Sequence, residues 1–285
     1  MKNMIALFLI LTTYTMADEE AIGFGINDFN HCTASNLYYS RGFADRFIDA
    51  FQDKKADGKW DVAIKKYDEA VDAEDFADHS KTSEGNDDAS GLGVDHADVG
   101  FISSHGSAWW TTGLNPNYVI GSFTMGENWH DGNQWRSSVN TTDEIQLGDD
   151  LEIFVAATCK SAQYSAWTSG GVHRAWKPGK TIQFWLGFHG ISYDSMTDRN
   201  RVRIYAKNSF YDGIGANWVE ELTRGRGLSP DQCATVIIRG SSENKITTNF
   251  EYGGFADRGK DYNGSWSIQG YFYVGGCAPK GGPKL

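Results

Sequence analysis

The chain has 285 residues, 40% of them hydrophobic, 14% aromatic and 22% charged, with 33 Gly and a net charge of -11. That length buries a sizeable core in one large α/β domain or in two small ones. Thirty-seven acids against 26 bases argue against a nucleic-acid binder, and the aromatic content and aperiodic glycines exclude a disordered or collagen-like chain.

Met1 to Ala17 reads MKNMIALFLILTTYTMA: one Lys, an unbroken apolar run from Met4 to Leu11, then small residues at Thr15 and Ala17 ahead of Asp18-Glu19-Glu20. The run is too short for a bilayer, which takes about 20 helical residues, and the order is that of a cleavable secretion signal. The expectation is a secreted protein made of one domain over residues 18–285. After signal removal it has no membrane anchor.

Secretion bears on Cys32, Cys159, Cys233 and Cys277, because an oxidising compartment favours pairing and four cysteines allow three connectivities. Two bridges would use all four. If Cys159 is free, Cys233 and Cys277 are the expected pair, since they share the C-terminal strand region, and Cys32 is left over. The sequons at Asn140 and Asn263 are compatible with a glycoprotein.

A first strand is expected over Ala21 to Ile26, followed by a helix carrying Phe43, Phe47, Ile48 and Phe51 on one face. Val62 to Ile64 is a short apolar run of undecided type. Asp72 to Asp98 is heavily acidic without the alternating ligand order of an EF-hand, and Ser83 to Gly93 within it reads as a mobile loop. Three apolar runs then have the character of buried parallel strands: Asp98 to Ser103, Leu151 to Ala157 and Thr181 to Phe188. They lead into His105-Gly106, Thr158-Cys159 and His189-Gly190 respectively. Trp109 to Asp149, between the first two, has little periodicity. Arg199 to Arg224 reads as a helix with a break at Gly213 or Gly215, and Ala234 to Ile238 and Ile268 to Val274 read as strands.

In an open α/β sheet, functional residues gather beyond the carboxyl ends of the strands. His105 and Cys159 each follow such a strand, which suits a thiolate nucleophile with a histidine acid/base partner. The N–H groups of Gly106 and Cys159 are candidates for an oxyanion hole. Cys159 as half of a disulfide, or as a buried apolar residue, is the competing reading. Trp109, Trp110, Ser161 and His189 are assigned to the substrate crevice, with His189 a rival to His105. No HExxH, paired CxxC or clustered His spacing appears, so no metal and no cofactor are expected.

The blocks VGFISSHGS (99–107) and DLEIFVAATCKSA (150–162) resemble the cysteine peptidase clan of legumains, gingipains, clostripains and caspases. FWLGFHG (184–190) further resembles an uncharacterised branch of secreted caspase-like proteins. The resemblance spans Asp98 to Ser195, about a third of the chain. It implies an α/β caspase-like sandwich with a mostly parallel central sheet flanked by helices, His105 as acid/base, Cys159 as nucleophile and Gly106 in the oxyanion hole. Ala157-Thr158 before Cys159 and Ala162 after Ser161 depart from the legumain and caspase patterns, so side-chain preference does not carry over. The implied activity is a peptidase or transpeptidase on a peptide or small-molecule substrate. A non-catalytic binding protein with an aromatic crevice, or another reaction of the same dyad, stands beside it.

Overall fold

A computed structural model of the chain describes residues 19–55, 60, 62–89, 93–110, 119–131, 134–141, 144–168, 175–176, 182–225, 233–257, 268–273 and 277. The signal-like segment and Asn263 lie outside them.

Seven strands build the central sheet: β1 (Glu20–Gly25), β2 (Val62–Tyr67), β3 (Val99–Ser103), β7 (Ile153–Ala157), β8 (Phe184–Phe188), β9 (Ala234–Gly240) and β10 (Ile268–Tyr273). Their spatial order is β10-β9-β8-β7-β3-β1-β2. The five strands from β2 to β8 run parallel, and β9 and β10 alternate in direction at the far edge. Three further strands, β4 (Gly106–Trp110), β5 (Val119–Asp131) and β6 (Gln134–Asn140), form a separate antiparallel sheet in the order β4-β5-β6. The molecule is thus a mixed α/β protein with a large, mostly parallel central sheet.

Alternation along the strands divides the core into two layers. Ala21, Val99, Phe101, Ile153, Val155, Phe184 and Leu186 face one side. There they meet the helices α1 (Ser40–Lys55), α3 (Met196–Asn208), α4 (Ile214–Thr223) and α5 (Glu243–Tyr252). Ile22, Phe24, Ile102, Phe154, Ala156 and Trp185 face the other side, under the small sheet and the short α2 (Tyr164–Thr168). Because both faces are covered, these strands read as continuous apolar runs.

The insertion expected to lack periodicity is the small sheet. Its Phe123, Met125 and Val139 are buried, and the Phe123 ring sits 5.8 Å from Phe154 and 6.3 Å from Trp185. The helix expected over 199–224 is broken in the region of Gly213 and Gly215, as its sequence suggested, and forms two helices. The chain leaves α3 at Ser209, and Gly213, with a left-handed φ of 68°, starts α4.

The acidic segment also departs from expectation. Rather than a mobile loop, the described residues of 83–93 fold back onto the core: Asn86 N–H donates to Glu74, Asp87 N–H to Ala77, and Asp95 N–H to Asp87. Asp95 is buried and accepts from the Gly148 and Asp149 N–H groups. The Asp95 carboxylate here serves as an acceptor for backbone N–H groups.

Gly25 sets where α1 begins. A Cβ there would lie 2.6 Å from Arg41 Cα and 2.7 Å from Ser40 O, so only glycine lets the end of β1 meet the helix start. On the far side of α1, the Asp194 carboxylate accepts from the Tyr38 and Tyr39 N–H groups, with the Tyr39 bond at 2.8 Å. That supplies acceptors for donors the helix leaves unsatisfied and sets a negative charge at its positive end. Both contacts fix the helix start at the carboxyl edge of the sheet.

At the opposite edge, Asp98 Oδ2 accepts from Glu20 N–H at 2.7 Å. Burial, opposed by that bond and reinforced by Asp150, pushes its carboxyl up to about 6. An unfolded Asp titrates near 3.9. Between about pH 4 and 6 the folded state therefore holds the extra proton, and the Asp98 contribution to stability falls as pH rises through that window. Asp98→Asn is expected to flatten this slope, shrinking the stability lost between pH 4 and pH 6.5 by about 2–3 kcal/mol in urea titrations. An unchanged slope would contradict the assignment.

Candidate functional site

The register of two neighbouring strands creates the site. Ser103 at the end of β3 stands opposite Ala157 at the end of β7, and His105 and Cys159 each lie two residues further on. Parallel neighbours are about 4.8 Å apart. The two functional groups therefore leave the sheet at the same height on adjacent strands.

They line one cleft of about 150 Å³ together with Leu37, Ser40, Ser103, Ser104, Ala157, Ser192, Tyr193 and Asp194. This wall comes from the loops after β1 and β8, the start of α1, and the ends of β3 and β7. All of it lies at the carboxyl edge, where open α/β sheets bind ligands.

His105 is held on two sides. Its Nε2 lies 2.7 Å from Ser35 O, and its ring packs on Phe29 with centroids 4.8 Å apart. A carbonyl oxygen only accepts, so Nε2 carries the proton, and in the neutral ring Nδ1 is the basic nitrogen. The Cys159 thiol donates to Ser192 O at 3.7 Å. Among the described residues no hydrogen bond joins the ring to the thiol, so the two share a cleft without touching in this state. Such contacts often form only once substrate is bound.

Cys159 is unpaired, as is Cys32. The disulfide joins Cys233, just ahead of β9, to Cys277 beyond β10, both buried. This is the pairing expected if Cys159 is free. Closing a loop with a sequence separation of 44 restricts the unfolded chain by about 4 kcal/mol.

The turn that carries Cys159 is stitched to the end of β8. Lys160 N–H donates to Gly190 O at 2.6 Å, Ala162 N–H to Phe188 O at 3.0 Å, and Trp185 Nε1 to Ser161 O at 2.9 Å. Lys160 adopts a left-handed φ of 58°, which costs a side-chain-bearing residue about 1–2 kcal/mol. Backbone strain of this kind collects at functional sites. It turns the chain sharply just after Cys159 and leaves the Cys159 N–H without a partner among the described residues.

Gly106 meets the same turn. A Cβ at Gly106 would lie 2.5 Å from Cys159 O and 2.7 Å from Thr158 Oγ1. The backbone of β4 thus packs directly on the Cys159 peptide, an approach that no other residue allows.

The remaining assigned residues separate by role. Ser161 is buried, with Oγ donating toward Ala156 O and Thr158 O and accepting from Phe188 N–H, so it braces the turn from beneath. His189 is 6% exposed, outside the cleft lining. Its Nδ1 accepts from Tyr164 N–H at the start of α2, and the His189 backbone N–H donates to Cys233 O. Trp109 projects from β4 with 43% exposure. Trp110 lies next to it on the same strand, and its side chain is outside the described set.

Sequence reading missed Ser35, Ser192 and Asp194. Ser35 and Ser192 act through carbonyl oxygens, which no residue type encodes. Their only signal was position, in loops that follow β1 and β8.

Among the described residues, no three His, Cys, Asp or Glu side chains converge on a metal-sized site, and no helix is long and apolar enough to cross a membrane.

Fold and cleft define an α/β protein with an imidazole and a free thiol level at the carboxyl edge of its parallel strands. Residues 24–276 match the model of DUF6345, a domain of unknown function, and the chain belongs to that family. No curated protein matches it.

Gly106→Ala is expected to push the Cys159 turn away from β4. Urea unfolding should show a loss of about 1–3 kcal/mol, the usual range for overpacking a tight contact. A variant as stable as the parent would contradict the close approach.

Proposed function

We propose that this protein is a secreted cysteine peptidase with a caspase-like fold, acting through Cys159 and His105. The observation that carries this reading is the level placement of thiol and imidazole beside the N–H groups of Gly106 and Cys159, neither of which has a partner among the described residues.

The chemistry follows from these groups. Cys159 Sγ attacks a substrate carbonyl carbon, and the thiol proton passes to His105 Nδ1. The negative oxygen of the tetrahedral intermediate accepts from the Gly106 and Cys159 N–H groups. The C–N bond then breaks, His105 gives its proton to the departing amine, and a thioester remains on Cys159. Water attacks the thioester, His105 takes the water proton, and the acid leaves as Sγ regains its proton. An amine in place of water would make the same enzyme a transpeptidase.

The Ser35 carbonyl is the positioning element. By holding Nε2–H it fixes the tautomer that leaves Nδ1 able to accept the thiol proton, and it stabilises the imidazolium that forms. The free state of Cys159 supports this reading over one in which the thiol is consumed in a bridge. For secretion, the support is the signal-like Met1–Ala17 together with the buried Cys233–Cys277 disulfide.

Incubation of the unreduced protein with casein, followed by mass spectrometry of the products, tests the assignment. Cleavage is expected from the parent and none from Cys159→Ala. His105→Ala should lower the rate by about 10²–10⁴-fold, the usual contribution of a general acid/base. Cleavage that survives Cys159→Ala, or intact casein with the parent, would contradict it.

A further inference from the structure

We propose that the outer edge of β4 receives the substrate as an added antiparallel strand, so that the cleft takes an extended polypeptide rather than a free amino acid or a small amide. This rests on the thiol chemistry proposed above and names its substrate class.

The argument begins with one hydrogen bond. Thr124 N–H on β5 donates to His105 O at 2.9 Å, and Gly106 stands opposite Phe123 with Ser107 opposite Ser122. In an antiparallel ladder, residues alternate between those that exchange bonds with the partner strand and those whose N–H and C=O point away. The bond at His105 sets the phase. His105, Ser107 and Trp109 direct their backbone groups toward β5, while Gly106 and Ala108 direct theirs outward.

Outward, among the described residues, is an open edge, because β4 is the terminal strand of its sheet. Among the described residues, no hydrogen bond reaches the outward groups of Gly106 or Ala108. Unpaired strand edges are templates for an extended chain. Elsewhere on a protein such an edge would be generic. Here its first outward residue is Gly106, whose Cα packs on the Cys159 peptide.

The rungs then follow. The residue whose carbonyl is attacked stands opposite Gly106. Its oxygen accepts from Gly106 N–H, and its own N–H donates to Gly106 O. The third residue counted back from the scissile bond pairs in the same way with Ala108. The oxyanion contact is therefore the first rung of a ladder, and the second rung aligns the carbonyl with Sγ. Directly opposed residues share a face. The first residue accordingly points to the Gly106 face, where Cys159 lies. The second and fourth lie opposite Ser107 and Trp109, and the exposed indole favours an apolar fourth residue.

Chloromethyl ketones of acetyl-alanine and acetyl-tetraalanine test this by their rates of Cys159 alkylation, since both carry the same electrophile. The tetrapeptide is expected to react at least about 10-fold faster, the gain of one or two net hydrogen bonds. Ala108→Pro removes only an outward N–H, which edge strands tolerate. It should abolish that advantage while leaving the iodoacetamide rate of Cys159 unchanged. N-methylation of the third residue counted back, tested on the parent protein, should do the same and does not depend on the variant folding. Equal rates for the two ketones, or an advantage that survives both blocks, would overturn the strand pairing while leaving the thiol chemistry in place. An iodoacetamide rate on Cys159 no different in His105→Ala would instead overturn the underlying dyad.

Discussion

The pairing of β3 with β7 is the constraint on which the site depends. One register, Ser103 opposite Ala157, decides that His105 and Cys159 leave the sheet level with each other. A slip of one residue would turn every side chain of one strand to the other face. The two-sided core forbids that slip, because Phe101 and Val155 face the helices while Ile102, Phe154 and Ala156 face the small sheet. Ordinary hydrophobic alternation thus becomes a placement rule for a thiol and an imidazole.

Around this pair, the surrounding loops act mainly through their backbones. The loop after β1 gives Ser35 O to the imidazole, and the loop after β8 gives Ser192 O to the thiol. Asp194, two residues past Ser192, ties that second loop to the start of α1. One chain of contacts therefore links β8, the Cys159 turn, α1 and the wall that holds His105. Gly25 and Gly106 sit at two of its close approaches, where a strand end meets the helix start and where β4 meets the Cys159 peptide.

Much of this was legible in the sequence, and for a physical reason. Strands buried on both faces give continuous apolar runs, so β1, β3, β7, β8, β9 and β10 could be read directly, along with the strand-end residues His105, Gly106 and Cys159. The small sheet was not legible. Phe123 and Met125 alternate over too short a stretch, flanked by the Gly- and Asn-rich sequence that usually marks a loop. The acidic segment misled in the opposite direction. Asp78 and Asp95 look solvated by composition, yet they are buried. Composition records charge and not the backbone donors that satisfy it, here Ser80 N–H for Asp78 and the Gly148 and Asp149 N–H groups for Asp95. The places of Ser161 and His189 beside the motifs suggest crevice residues, whereas their polar atoms are engaged inside the fold.

The account stands on Cys159 being a free thiol that His105 activates. Alkylation of the native, unreduced protein with iodoacetamide at pH 6, followed by peptide mass mapping, reads both properties at once. Rapid modification of Cys159 that is lost in His105→Ala, with Cys233 and Cys277 recovered as one disulfide-linked peptide, is the predicted result. Recovery of Cys159 in a disulfide, or a slow rate indifferent to His105, would contradict the account.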